Sequence, residues 1–158
     1  MLALASLASS ARCSGQAGTP AQDADTYSVA KPTAREIVVT REFHAPRSRV
    51  FDALTKPELI KQWFEPEGWS LIACDVDLKA GGAFRFVWRR PRGEMTMRGI
   101  YREVARPARL VHTEEYDISP FQLLVTVVLV EQHGRTRLMS TSLYPSEKAR
   151  DADYPSVA

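Results

Sequence analysis

Two cysteines, Cys13 and Cys74, are too few and too far apart to form a disulfide framework, and neither stands at a metal-ligand or redox spacing. His44, His112 and His133 are scattered and complete no zinc motif. No apolar run approaches the ~18 residues that a membrane-crossing helix needs. A secretory leader is poorly supported too, because Leu2 to Ala8 is apolar but short and has no basic segment ahead of it. The chain therefore reads as soluble and cytoplasmic. Charge of one sign is also lacking: 21 Lys and Arg against 19 Asp and Glu leave a formal net charge of +2. A nucleic-acid binder concentrates its basic residues on one face among aromatics. Here the densest cluster, Arg89, Arg90 and Arg92 beside Pro91 and Gly93, reads as a solvated hairpin tip. There is no nucleophile elbow and no triad spacing. Gly81-Gly82 lacks the further glycines and the following helix of a phosphate loop, and reads as a tight turn. Neither a metal, a cofactor nor a nucleic-acid partner is expected.

What is present is an ordinary globular composition, 44% hydrophobic and 25% charged, at a length that suits one domain. Residues 1–34 are rich in Ser, Ala, Gly and Pro without sustained periodicity, and read as a disordered extension. Residues 35–152 form the domain, and 153–158 a short tail. Helical periodicity is concentrated in Pro46 to Trp69. Val50, Phe51 and Leu54 share a side of a first helix begun by Pro46. Thr55-x-x-Glu58 has the form of a capping box for a second helix, which places Leu59, Ile60 and Trp63 on one face. The rest is strand-like. Ile37 to Val39 opens a first strand, and Ile72, Cys74, Val76 and Leu78 alternate with polar residues in a second. Further strands follow around Phe84 to Trp88, Met95 to Tyr101, Leu110 to Tyr116, Phe121 to Glu131 and Thr136 to Leu143. One strand, two helices and six consecutive antiparallel strands make an α+β arrangement with a curved meander.

Strand parity then proposes a site. Phe84, Phe86 and Trp88 share a face with each other, as do Met95, Met97 and Tyr101, and together they predict an aromatic concave surface with Arg98 and Arg102 on the wet side. His112 follows Leu110 onto the same face, and Glu114 follows His112. A histidine beside a carboxylate in an apolar cavity can move a proton; the plainer alternative is a strand histidine satisfied by its neighbour. Asp75 and Asp77 share one face of their strand, and read as exposed or as bonded to the turn that follows.

Several motifs in register carry a family resemblance. Pro46-x-x-x-Val50-Phe51-x-Ala53-Leu54, Pro57-Glu58-Leu59 with Trp63, and Asp77-Leu78-Lys79-x-Gly81-Gly82-x-Phe84 are three of them. Gly99-x-Tyr101-x-Glu103-Val104 with Pro107-x-Arg109-Leu110-Val111 is a fourth. They resemble the SRPBCC (START-like) superfamily, in its branch similar to the C-terminal domain of the heat-shock protein 90 ATPase activator. The resemblance implies a helix-grip fold, in which a seven-stranded sheet curls around a long C-terminal helix with an apolar cavity between them. Glu65 and Ala80 depart from the pattern, where Gly and Pro are usual. A small hydrophobic or aromatic ligand, held by Trp63, Phe84, Phe86, Trp88, Met95, Met97, Tyr101 and His112, is the function this favours. The alternatives are an enzyme resembling the polyketide cyclases and dehydratases, with His112 and Glu114 as acid and base, and a chaperone-binding module. Ser146 to Ala152 starts as the family's C-terminal helix starts, but Pro155 cuts it to about two turns. A concave face left partly uncovered in this way would be a candidate homodimer surface.

Overall fold

The computed structural model describes residues 27–154, and the expectations for residues 1–26 and 155–158 lie outside that range. Eight strands form one antiparallel sheet: β1 (Tyr27–Ala30), β2 (Glu36–Phe43), β3 (Ser70–Val76), β4 (Ala83–Arg90), β5 (Gly93–Ala105), β6 (Arg109–Tyr116), β7 (Gln122–Gln132) and β8 (Arg135–Leu143). Their order across the sheet is β1-β2-β8-β7-β6-β5-β4-β3. From β3 onward each strand lies beside its sequence neighbour, the meander read from the chain. Helices α1 (Arg47–Thr55) and α2 (Pro57–Ile60) connect β2 to β3, and α3 (Glu147–Asp153) follows β8.

One difference lies at the start. The sequence reading left Tyr27–Ala30 in a disordered extension, whereas those residues pair with Val38 to Arg41 of β2 as an eighth, outermost strand. A four-residue strand carries too little pattern to stand out of a small-residue segment. A second difference lies in β3, where the register shifts between Leu71 and Ala73. That irregularity turns Leu71 inward and leaves Ile72 45% exposed, against the simple alternation expected of it. A third concerns Thr55. It caps nothing: it is the last residue of α1, its hydroxyl donates to the Phe51 carbonyl at 2.7 Å, and Lys56 takes the cap position of α2.

The two helices lie over the concave face. Phe51 and Ile60 are fully buried there, the Trp63 indole N–H donates to the Ala53 carbonyl at 2.9 Å, and the Thr136 hydroxyl donates to the Ala45 carbonyl at 2.7 Å. The concave side of β4 to β6 is closed within a single chain. Phe84, Phe86, Met97, Tyr101 and Leu110 each keep 5% or less of their surface. At these strands the open apolar face expected from a short C-terminal helix is thus not observed.

α3 is short, as its sequence implied, and polar groups fasten it. Ser146 caps it, its Oγ accepting from the Ala149 N–H at 3.1 Å. The Arg150 side chain is only 7% exposed and donates to the Thr33 carbonyl at 2.6 Å and to Asp151 at 2.7 Å. The Tyr144 hydroxyl donates to Asp153 at 2.6 Å. The Arg150→Met variant keeps the stem and loses these bonds, so it is expected to cost about 1–3 kcal/mol and to speed amide exchange within α3 ahead of the sheet. Urea denaturation and native-state hydrogen exchange measure both.

Candidate functional site

Between the sheet and α1–α2 lies a cavity of about 100 Å³. Its walls come from β4 to β8 on one side, with Val125, Val127, Leu138 and Ser140 from the last two strands, and from Leu54, Ile60, Trp63 and Phe64 on the other. Phe84 stands at the centre of an aromatic cluster, its ring centroid 5.4 Å from Phe86, 5.1 Å from Tyr101 and 5.4 Å edge-on from His112. Rings at these separations and tilts attract one another beyond simple area burial, which stiffens the wall. Phe64 closes the side facing α2, packing on Trp63 at 5.0 Å and on Phe86 at 5.4 Å.

Phe84 reaches its place because residue 99 has no side chain. A Cβ at Gly99 would collide with the Thr113 carbonyl and with the Phe84 ring itself. Gly99→Ala is accordingly expected to push Phe84 into the cavity and to cost about 1–3 kcal/mol by overpacking; a chemical-denaturation curve gives the number. Gly81 serves a different need, holding φ at +81° in the β3–β4 turn, where its N–H donates to the Tyr101 carbonyl at 2.8 Å. The turn so formed fixes the strand that carries Tyr101.

The polar part of the site is a pair on β6. His112 and Glu114 are two residues apart and so face the same way, and His112 Nε2 lies 2.9 Å from Glu114 Oε1. Both side chains are 12% exposed. Burial pushes the Glu114 carboxyl up, but the hydrogen bond and charge of His112 outweigh it and hold Glu114 below its ordinary value. With Nε2 turned to Glu114, the other ring nitrogen, Nδ1, is buried without a partner. A buried polar atom left unpaired in this way is costly unless something else meets it. Burial also pushes the Tyr101 phenol well up, with Cys74 and Glu114 adding to the shift, so its hydroxyl stays protonated as a neutral donor or acceptor.

The structure brings together Trp63, Phe84, Phe86, Met97, Tyr101, His112 and Glu114 around this cavity. Trp88 and Met95 share the concave face, but both lie outside its wall. Trp88 is 1% exposed and donates from its indole N–H to the Phe64 carbonyl at 2.7 Å, a packing role that holds a wall residue in place. Arg98 is on the opposite side, exposed and paired with Glu115 at 2.9 Å, and Arg102 is exposed as well. Glu65, a departure from the family pattern, accepts from the Leu71 N–H at 2.9 Å and so fastens the loop into β3. Asp75 and Asp77 are exposed beside Arg85 and Lys79, away from the cavity. Sequence reasoning missed Phe64, Tyr116 and Ser140, and with them Val125, Val127 and Leu138. Tyr116 has the parity of His112 and Glu114, which could have found it; Ser140 sits in an inward run of Thr136, Leu138, Ser140 and Ser142 that no apolar pattern marks. Among the described residues, no cluster of three or more His, Cys, Asp and Glu side chains could hold a metal ion, and no helix is long and apolar enough to cross a membrane.

The family model described as activator of Hsp90 ATPase homolog 1-like protein matches residues 44–156. This chain belongs to that family. Among solved structures, a protein from Rhodobacter sphaeroides is 31% identical with a TM-score of 0.79, the match covering 82% of this chain and 86% of that one. A protein from Staphylococcus epidermidis is 30% identical with a TM-score of 0.71, covering 80% and 81%. An HSP90 activator from Plasmodium falciparum is 21% identical with a TM-score of 0.53, covering 70% and 74%, which shows a shared fold. A search of curated proteins returns no match. Membership and architecture agree on the α+β helix-grip fold of this family, with the cavity on the concave side.

Proposed function

We propose that this member of the Hsp90-activator-like family holds a small molecule with one aromatic ring and a hydrogen-bonding substituent, and does not transform it. The observation that carries the reading is the His112–Glu114 pair in the wall of a cavity otherwise lined mostly by aromatic and aliphatic side chains. Ligand pockets are built in this way, mostly apolar with a few placed polar groups that orient the guest. The volume of about 100 Å³ admits no more than one small ring. A void of roughly 150 Å³ accepts benzene, while drug-sized ligands occupy pockets of about 300–1,000 Å³. Glu114, 2.9 Å from His112 Nε2, holds the imidazole in its place in the wall. A native mass spectrum of protein purified under mild conditions is expected to show a bound species of one-ring mass that dissociates on collisional activation. Apo protein alone, together with no saturable binding of any phenol, indole or benzoate, would contradict the reading.

The same pair also supports a second reading, proton transfer to or from a bound substrate, because a histidine and a carboxylate in contact with each other both line the cavity. Turnover of an ester or a polyketide-like substrate that vanishes in His112→Ala would select it. Chaperone association, suggested by the family description, is separated from both by mixing the protein with Hsp90 and measuring ATP hydrolysis: the ligand-binding reading expects no stimulation.

A further inference from the structure

A second chamber adjoins the first. About 240 Å³ in volume, it lies between the β6–β7 turn and the end of α3. Ile118, Pro120, Phe121 and Leu123 make its apolar lining, with Ser119 and Asp153 at its polar edge. Tyr116 is the one described residue that lines both this chamber and the inner cavity. It stands at the last position of β6, where the turn begins with the Ser119 N–H donating to the Tyr116 carbonyl at 3.0 Å. A ring in that position can move by rotating its own side chain, leaving the strand intact. Two observations mark the chamber as more than a surface dent. Ile118 keeps 70% of its surface in solvent at the mouth of an apolar hollow, and Leu123, only 3% exposed, lies on its wall.

We infer that the inner cavity and the outer chamber are two subsites of one site, and that the ligand is an amphiphile with an aromatic head and an aliphatic tail. The head lies against Phe84 and His112, the tail passes Tyr116, and its end rests on Ile118 and Phe121. The inference rests on the cavity reading above and adds the tail. It accounts for the apolar outer hollow beside a cavity with room for one ring: the ring supplies orientation, and tail length supplies affinity. Each methylene buried in the outer chamber is expected to tighten binding about fourfold.

The test compares 4-methylphenol with 4-hexylphenol by calorimetry on the full chain, in the wild type and in Ile118→Asp. Ala152→Asp, which approaches the same chamber from exposed α3, is the second variant. The hexyl compound is expected to bind the wild type at least about thirtyfold more tightly than the methyl compound. Either aspartate is expected to shrink that ratio about tenfold, because it places a charge against the tail. The ratio is the readout, so a general loss of stability does not imitate the effect. If 4-methylphenol binds while 4-hexylphenol binds no better, or if neither aspartate changes the ratio, the outer subsite is wrong and the inner cavity stands. If neither phenol binds, the cavity reading fails and this inference falls with it.

Discussion

Replacing Trp88 by Ala is expected to cost about 3–5 kcal/mol, a large part of the roughly 5–15 kcal/mol by which a domain of this kind is stable. Three contributions act together. The indole is 1% exposed, so its removal leaves a void that the close-packed neighbours fill only in part. Its edge-on contact with Phe64, 4.8 Å between ring centroids, is lost. The Phe64 carbonyl, which accepts the indole N–H at 2.7 Å, is left without that donor. Trp88→Phe keeps most of the volume and loses the donor, so about 1 kcal/mol is expected of it. Equilibrium urea unfolding distinguishes the two. A loss below about 1 kcal/mol for Trp88→Ala would show that the side chain is not the structural support described here.

His112→Ala is expected to cost about 3 kcal/mol near neutral pH and to reverse the sign of a pH dependence. In the wild type, Glu114 is held below its ordinary value in the folded state. The stability it contributes is therefore present above the unfolded value, 4.5, and is lost as pH falls through the lower folded value. Take away His112 and the hydrogen bond and charge that lower Glu114 go with it. Burial, the largest influence on Glu114 and one that the Asp153 charge reinforces, then prevails and raises the folded value above the unfolded one. In that variant the contribution of Glu114 is fully present below the unfolded value and is lost as pH rises through the raised one. The double variant His112→Ala, Glu114→Gln has no buried carboxylate and should recover much of the loss. Stability measured from pH 4 to pH 8 in the three proteins checks the sign; parallel curves for wild type and His112→Ala would sink this account of the pair.

Most of the sheet was legible because its strands alternate. Met95, Met97 and Tyr101 on one parity and Arg98 and Arg102 on the other fixed which side of β5 is dry, and the register of β5 against β6 pairs Tyr101 with His112 as that parity requires. The His112–Glu114 contact follows from the same period of two. What parity could not supply is position along the concave face. Trp88 and Met95 satisfy every rule for a wall residue, yet lie outside the cavity wall, because α2 and Phe64 set the cavity's extent. The irregularity at Leu71–Ala73 was hidden for a related reason: one extra residue inverts the alternation without leaving a compositional trace. The closure of the concave face was misjudged because the length of the C-terminal helix was taken to decide it. Phe51, Ile60 and Phe64, from the segment that most clearly read as helical, cover that face. Thr55 shows the limit of a short motif, since its hydroxyl had a carbonyl within reach one turn back.

The most direct test of the central claim is a methyl NMR titration of protein carrying ¹³C-methyl methionine with 4-methylphenol. Met97 lines the cavity, Met95 is buried outside its wall, and Met139 is on the opposite parity of β8 from Leu138 and Ser140. A ligand seated against Phe84 and His112 should shift the Met97 methyl in a saturable way and give it an intermolecular Overhauser effect. Met139 should stay still and Met95 should move little. No saturable shift at Met97 up to the solubility of the phenol, or equal shifts at Met97 and Met139, would contradict a ligand cavity in this fold.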